Sequence, residues 1–339
     1  MKTTKTAKAT ASDISRAKEL ALSGKRLSRD LMIALLNIEE NSPEFFQLGE
    51  AAREVSVAVT KNRAYLWGAI GMDFSPCAKS CDFCSLGEKW GIASAEDSYK
   101  MDSDEVIKRV SDYVNSGVRW IALRTNHFYN HEQLVNLVKD IRSQIPGDYE
   151  LGLNIGDFDG LYADELYVAG ANFAYHALRL REGVDTPFDR AERIATMSAI
   201  NQSGLYLTHM VEPVGVEHTN EELADLYNII LDHNTRVSGV IARIPVAGTP
   251  LGVYPQISEA RLAHIVAFTR LASAGIVEDI FALPSSQQAV SFGANVAVLD
   301  SGAIPRASNF VKEGWRGITR DDMVSLLHKG GYTTNEIKD

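Results

Sequence analysis

Short apolar segments that alternate with amphipathic helices predict an α/β protein, a TIM-type (β/α)8 barrel preceded by a helical extension. Two observations support this. Residues 12–62 have only helical periodicity, and from about residue 64 each β-type run is followed by a loop and a helix. The strand candidates are Tyr65–Met72, Trp120–Leu123, Glu150–Asn154, Phe173–Leu178, Leu205–Val211, Val240–Pro245, Ile280–Leu283 and Val296–Leu299.

The helical extension contains two apolar stripes at helical spacing, one around Leu31 and Leu35 and one from Phe45 to Val59. The Asn41-Ser42-Pro43 turn separates them. We therefore expect a disordered tail over residues 1–12, a helical cap over 13–63, the barrel over 64–305 and a C-terminal helical extension over 306–339.

Capping signals mark the helices between the strands. Ser103 begins a helix that ends at Gly117, Gly204 follows the helix that starts near Asp189, and Ser258 begins another that ends near Gly275. Strands that alternate with helices in this way predict a parallel sheet, and eight such units predict a closed barrel.

The amino-acid composition argues against nucleic-acid-binding and membrane proteins. The chain has 45% hydrophobic residues, 23% charged residues and a net charge of −10, which is typical of a globular protein and argues against nucleic acid as the main partner. Its apolar runs are shorter than the roughly 18–20 residues that a membrane span needs, and its first residues lack the apolar core of a secretory signal. We expect no membrane association and a cytoplasmic location.

All three cysteines fall within eight positions, Cys77-Ala-Lys-Ser-Cys81-Asp-Phe-Cys84. Such a loop can direct three thiolates at one metal centre and leave one coordination position open. Two other interpretations stay open: structural or free cysteines, and a zinc site completed by a histidine such as His127 or His176. The loop follows the first strand candidate, at the barrel end where active sites lie.

The C-x3-C-x2-C spacing, with Phe83 before the last cysteine, resembles the signature of the radical S-adenosylmethionine (SAM) enzymes. The resemblance implies that Cys77, Cys81 and Cys84 hold a [4Fe–4S] cluster whose fourth iron binds SAM. The helical N-terminal segment, the Gly248-Thr-Pro-Leu251 stretch and Gly293-Ala-Asn295 resemble the branch of biotin synthase, the maturase HydE and methylornithine synthase (PylB), over roughly residues 15–330.

Matching the branch residue by residue implies further cofactor contacts. Phe83 would pack beside the SAM adenine, and Thr125 or Asn126 would accept from the SAM amino group, although the Gly-Gly-Glu of other branches is replaced here by Arg124-Thr125-Asn126. Arg193, with Arg190 as the alternative, would bind the carboxylate. The expected cofactor-binding residues are Phe83, Thr125, Asn126, Asn154, Arg179, Arg193 and Gly248. At Arg179 the charge departs from the polar or acidic residue of the branch.

The resemblance implies an anaerobic, single-cluster enzyme that cleaves SAM to a 5′-deoxyadenosyl radical, takes an electron from a flavodoxin or ferredoxin, and acts on a small molecule. Biotin synthase holds a second, sulfur-donating cluster with further cysteines, and this chain has none. Rearrangement or cleavage of a carbon skeleton in cofactor, metallocofactor or unusual amino-acid biosynthesis is therefore favoured over sulfur insertion. A non-catalytic iron–sulfur carrier and a zinc-dependent barrel protein remain alternatives.

No acid/base pair stands out in the sequence, so the catalytic residues stay unassigned, with His127, Tyr129 and Glu212 as candidates at or near strand ends. The wider set of expected substrate contacts adds Trp90, Tyr175, Met210, Ser285 and Gln287.

Overall fold

The computed structural model describes residues 8–126, 129–273, 275–302 and 319–334. Its strands are β1 (Arg63–Gly71), β2 (Asp73–Phe74), β3 (Tyr99–Lys100), β4 (Trp120–Arg124), β5 (Glu150–Asn154), β6 (Phe173–Tyr175), β7 (Tyr206–Thr208), β8 (Val211–Val214), β9 (Val237–Ala242), β10 (Asp279–Leu283), β11 (Val296–Ser301) and β12 (Thr333–Thr334). Its helices are α1 (Ala11–Leu22), α2 (Arg29–Leu36), α3 (Pro43–Thr60), α4 (Ser103–Asn115), α5 (His131–Gln144), α6 (Gly160–Ala169), α7 (Arg190–Gln202), α8 (Asn220–Asp232), α9 (Glu259–Ala272), α10 (Gln287–Ser291) and α11 (Arg320–Lys329).

The parallel strands form a closed eight-strand barrel, as the sequence predicts. Neighbours follow chain order from β1 through β4, β5, β6 and β7 to β9, then β10 and β11. The ring closes where β11 pairs with β1, with Tyr65 opposite Val296, and β9 pairs with β10, with Val237 opposite Asp279. Each predicted strand segment overlaps an observed one.

The fifth barrel strand differs from its prediction as one continuous run. It is split into β7 and β8 by His209 and Met210. The His209 ring accepts a 2.9 Å hydrogen bond from the Leu178 amide at Nε2, and its Nδ1 lies 2.9 Å from the Met210 carbonyl. The ring thus replaces part of the strand ladder, and β6, predicted to reach Leu178, ends at Tyr175.

Side chains alternate between two cores, as the two-residue period of a strand requires. The lumen is filled by aromatic and aliphatic groups that include Trp67, Trp120, Phe173, Phe281 and Val298. The opposite faces of the same strands, including Leu66, Ile121, Leu151 and Ile280, pack against the surrounding helices. Among the described residues, the lumen core fills the barrel below the C-terminal ends of its strands.

The three N-terminal helices begin at side-chain caps, with Thr10, Ser28 and Ser42 each accepting from a backbone amide in the first turn. The extension packs on the barrel through α3 and α9, where the Phe45 ring lies 5.8 Å from the His264 ring. His264 Nε2 also lies 2.8 Å from the Leu35 carbonyl at the end of α2.

After the barrel, β12 pairs with the start of β1, Arg63 lying opposite Thr333. The predicted boundary at residues 305 and 306, and most of the predicted tail, lie outside the described residues. Within the described ranges, no helix is both long enough and apolar enough to cross a bilayer.

Candidate active site

A cavity of about 270 Å³ opens at the C-terminal ends of the barrel strands. One wall is the three-cysteine loop, and the others are strand ends. The predicted site residues that line it are Cys77, Phe83, Cys81, Cys84, Thr125, Asn126, Asn154, Tyr175, Arg179, Arg193 and Glu212. The structure therefore brings together side chains from the loop after β1, from four later strand ends and from α7, which are distant in sequence.

The cysteine loop is held in shape by its own backbone. The Cys77 amide donates to the Leu86 carbonyl at 2.7 Å, and the Glu88 amide donates back to the Cys77 carbonyl at 3.1 Å. The Cys84 amide donates to the Cys81 carbonyl at 3.0 Å. The loop therefore has a defined conformation that directs its three cysteines to the same cavity.

The same loop is fixed to the barrel through Asp82, between two of the cysteines. The Asp82 amide donates to the Asp185 carbonyl at 2.9 Å, and its carbonyl accepts from the Leu251 amide at 2.9 Å. The Gly248–Leu251 stretch thus supports the loop from outside. Gly248 itself is not part of the cavity wall: it adopts φ +92°, and a Cβ there would face Ile92 at 3.4 Å.

The cysteines are free and partly exposed. Burial raises the pKa of the Cys77 thiol, and it raises the pKa of Cys81 to about 12, with Arg179 acting in the opposite direction. A zinc ion with tetrahedral bonds of about 2.3 Å to sulfur would hold the thiolates within roughly 4 Å of one another. Among the described residues, one group of three ligand atoms lies within 4.8 Å, and it contains no cysteine.

That group is Asp185, Glu217 and His218, and its hydrogen bonds oppose a metal. The Arg243 guanidinium binds both carboxylate oxygens of Glu217. The His218 Nδ1 accepts from the Gly215 amide at 2.9 Å, so the proton of the neutral ring sits on Nε2, which then has no lone pair for a cation. These residues support the strand-end loops instead.

After β4, the chain turns through Thr125 and Asn126. The Asn126 amide donates to the Asp73 carboxylate at 2.7 Å, and its side-chain amide donates to the Ser75 hydroxyl at 2.8 Å. The Thr125 hydroxyl donates to the Asn126 carbonyl at 2.7 Å, which leaves its oxygen able to accept. Burial raises the pKa of the Asp73 carboxyl.

Two arginines share buried carboxylates on the opposite side. Arg193 on α7 donates from Nη1 to Asp157 at 3.2 Å, and its Nε lies 3.7 Å from Glu182. Arg179 lies 3.9 Å from both Glu182 and Glu212. Neither Arg193 Nε nor Arg179 Nη1 has a hydrogen-bond partner among the described residues, although both are buried. Donors of this kind can bind an acceptor on a ligand.

His176 and Tyr175 complete this side of the cavity. The His176 Nε2 lies 3.3 Å from Asp157, and burial lowers the pKa of its ring to about 4, so the ring is neutral at neutral pH. The Tyr175 hydroxyl donates to the Glu212 carboxylate, and burial raises the pKa of that phenol well above its ordinary value. Tyr175 is therefore a proton-bearing donor in the lumen.

Several expected site residues lie elsewhere. The Tyr129 ring is covered by the Lys100 ammonium at 4.4 Å and does not line the cavity, and His127 lies outside the described residues. Met210 is packed in the lumen core, Ser285 accepts from the Val298 amide, and Gln287 begins α10. Trp90 holds the cysteine loop rather than facing the cavity. Arg124 also lines the cavity, although it was not among the site residues predicted from the sequence; the alternation of Trp120, Ala122 and Arg124 on β4 was the available signal.

Both the sequence comparison and the structure comparison find proteins similar to this chain. A biotin synthase from Persephonella marina (strain DSM 14350 / EX-H1) is 23% identical over 266 residues, which cover 75% of this chain and 76% of the relative. The solved structure of methylornithine synthase (PylB) superposes with a TM-score of 0.77 and 18% identity over 95% of this chain and 98% of that one. No family model matches the chain.

A second solved structure, that of HydG, a maturase of the [FeFe]-hydrogenase, gives a TM-score of 0.75 at 16% identity, over 96% of this chain and 76% of that one. The similarity to the solved structures shows a shared barrel fold. The sequence similarity to biotin synthase and the three-cysteine loop at the C-terminal end of the barrel both point to the same kind of protein. The chain is thus similar in sequence to biotin synthase, a radical SAM enzyme, and similar in fold to PylB and HydG. Radical SAM enzymes use a [4Fe–4S] cluster and SAM and act on small-molecule substrates.

Proposed function

We propose that this chain is a radical SAM enzyme that binds one [4Fe–4S] cluster through Cys77, Cys81 and Cys84, and SAM beside it. The observation that carries the proposal is the convergence of three free thiols on one cavity with unpartnered arginine donors opposite. The soft donor set suits iron–sulfur chemistry. When bound, the pair supplies reductive cleavage of SAM to a 5′-deoxyadenosyl radical that abstracts hydrogen from the substrate.

The chain's own residues would bind and orient these groups. Arg193 and Arg179 offer buried guanidinium donors to a carboxylate, and Thr125 and Asn126 offer oxygens to an ammonium group. Phe83 and Asn154 lie in the same wall and can contact the remainder of SAM. The lumen core beneath the cavity excludes water from the far side.

Below the strand ends, the Tyr175–Glu212 pair is the best candidate for contact with the reacting part of the substrate. Both side chains are buried, and the pair keeps a phenol proton and a carboxylate side by side in the lumen. Glu212 thus remains a candidate catalytic residue, whereas Tyr129 does not line the cavity.

The reaction we propose is rearrangement or cleavage of a carbon skeleton, in the biosynthesis of a cofactor, a metallocofactor or an unusual amino acid. The chain has only the three loop cysteines, so it lacks thiolates for a second cluster of the sulfur-donating kind. We further propose a cytoplasmic, anaerobic setting with a flavodoxin or ferredoxin as electron donor. In domain terms, residues 13–63 would form a cap on a barrel over 64–305, followed by an extension over 306–339.

Anaerobic reconstitution with iron and sulfide tests the proposal. The chain should take up about four irons, show visible absorption that dithionite bleaches, and form 5′-deoxyadenosine from SAM. Cys81→Ala should lose the cluster and the cleavage, whereas Lys89→Ala, an exposed change in the segment after the loop, should retain both. Uptake of one zinc without SAM cleavage would instead support a zinc protein, and a stable cluster without cleavage would support an iron–sulfur carrier.

A further inference from the structure

Arg124 is the last residue of β4 and projects into the barrel. Trp120 and Ala122, four and two residues earlier on the same strand, belong to the lumen core, so the alternation of the strand places Arg124 on the lumen side. Its backbone lies opposite Asn154 on β5, and both residues line the cavity. Arg124 therefore stands at the top of the lumen, next to the proposed cofactor site.

The charge of Arg124 is not balanced by a carboxylate within the described part of the chain. Its one side-chain hydrogen bond there runs from Nη1 to the Gly302 carbonyl at 3.1 Å, and none of the ion pairs of 4.0 Å or less includes it. The nearby Asp73 carboxylate accepts from the Asn126 amide instead. A guanidinium keeps its charge in proteins, and a buried charge without an anion is unfavourable.

The other cavity arginines differ in this respect. Arg179 and Arg193 lie within 4 Å of Glu182, and each has a second carboxylate, Glu212 or Asp157. Arg243 is bound to Glu217. Among the described residues, Arg124 is thus the cavity arginine without a carboxylate within 4.0 Å, and the acidic groups that act on it electrostatically include Cys84 and Asp73.

The surroundings of Arg124 restrict what that anion can belong to. Ile241, Leu283 and Val298 line the same cavity together with Trp67 and Phe281, whereas Tyr175, Arg179 and Glu212 give another part of its wall polar groups. A bound molecule can therefore meet the Arg124 cation together with an apolar part of the wall. That combination fits a small organic acid with an apolar body.

We propose that Arg124 binds a carboxylate of the substrate and selects acids whose apolar part lies against Trp67, Phe281 and Leu283. The inference deepens the proposed function and rests on it, because it assigns the substrate class of the same cavity. A guanidinium fits a carboxylate through two parallel N–H donors, so lysine would replace it only in part.

The test uses the anaerobically reconstituted full chain with SAM bound. Calorimetric titrations with straight-chain acids from acetate to octanoate, each paired with its amide, give the affinity ratio of acid to amide. The native chain should prefer acids. In Arg124→Gln the ratio should fall by about 10- to 100-fold, the range expected for a charge-assisted bond. Arg124→Glu should prefer the matching alkylamines, and Arg109→Gln, a partly exposed change on α4, should match the native chain.

Three results would overturn the inference. The native chain could show no preference for any acid over its amide, or Arg124→Gln could retain the native ratio. The variant could also lose SAM affinity with the acid preference intact, which would assign Arg124 to the cofactor. Failure of the proposed function looks different, because the native chain would then build no cluster or cleave no SAM, whereas the same titrations of the chain without cofactors would still give an acid-to-amide ratio that depends on Arg124.

Discussion

The indole Nε1 of Trp90 donates a 3.1 Å hydrogen bond to the backbone carbonyl of Cys81. The ring belongs to the segment after the cysteine loop and reaches back across it, so it fixes the central cysteine from outside the cavity. Through this hydrogen bond, Trp90 stabilises the conformation of the cysteine loop.

Trp90→Phe should weaken the binding of iron by the cysteine loop. The substitution keeps an aromatic ring but removes the pyrrole part of the indole with its N–H donor, and the lost hydrogen bond alone accounts for about 0.5–1.5 kcal/mol. After reconstitution, we expect iron to be lost to a chelator severalfold faster than from the native chain. Lys89→Ala is the matched control and should lose iron at the native rate. Equal rates in Trp90→Phe and the native chain would show that the bond does not matter.

Gly87→Ala should disturb the same contact by a different route. A Cβ at this position would lie 2.4 Å from the Trp90 ring and 2.9 Å from the Ser80 Cα, although the φ of −58° suits any residue. The ring must therefore move, and we expect lower iron content after reconstitution. Because part of the clash is with Trp90, Gly87→Ala should cost less iron in a Trp90→Ala background than in the native chain. Equal losses in both backgrounds would contradict the steric explanation.

Arg193→Gln should weaken SAM binding about 10- to 100-fold, because it removes a buried charged donor whose Nε has no hydrogen-bond partner among the described residues. Equilibrium dialysis with labelled SAM measures the effect. The matched control is Arg190→Gln, an exposed arginine on the first turn of the same helix, which should bind SAM as the native chain does. Weaker binding in the control and native binding in Arg193→Gln would reverse the assignment.

Stability should fall on acidification below pH 6.5, in part through His264. Burial, with help from Arg261, lowers the pKa of its ring from 6.5 to about 4, so the unfolded chain binds more protons between these values. The contribution is complete above pH 6.5 and is lost as the pH falls toward 4, by at most about 1.4 kcal/mol per pH unit.

His264→Gln keeps a donor toward the Leu35 carbonyl and removes the titration. Urea unfolding of the metal-free chain at pH 7 and pH 5 should then show a smaller loss of unfolding free energy than in the native chain. The same change at His328, an exposed residue on α11, should leave the native pH dependence in place. An unchanged dependence in His264→Gln would contradict the prediction.

Local sequence was sufficient for the barrel and for the position of the cysteines. Strand segments follow from short apolar runs, and helix starts follow from caps such as Ser258, which accepts from the Arg261 amide as its residue type favours. The split of the fifth strand could not be predicted, because it depends on the His209 ring accepting from Leu178, a residue 31 positions away.

The cysteines of the candidate site could be predicted from their spacing in the sequence. The side chains at the strand ends could not, because their place in the site depends on the direction in which each one points. The three cysteines converge because they share one short loop, and that proximity is a property of the sequence itself. Whether a strand-end side chain enters the cavity depends on the neighbours it meets in the folded barrel. Glu212 faces Tyr175 in the lumen, while Tyr129 lies under Lys100. Only the tertiary structure decided which arginines have carboxylates, because those partners come from other strands: Arg193 meets Asp157, and Arg124 meets none among the described residues.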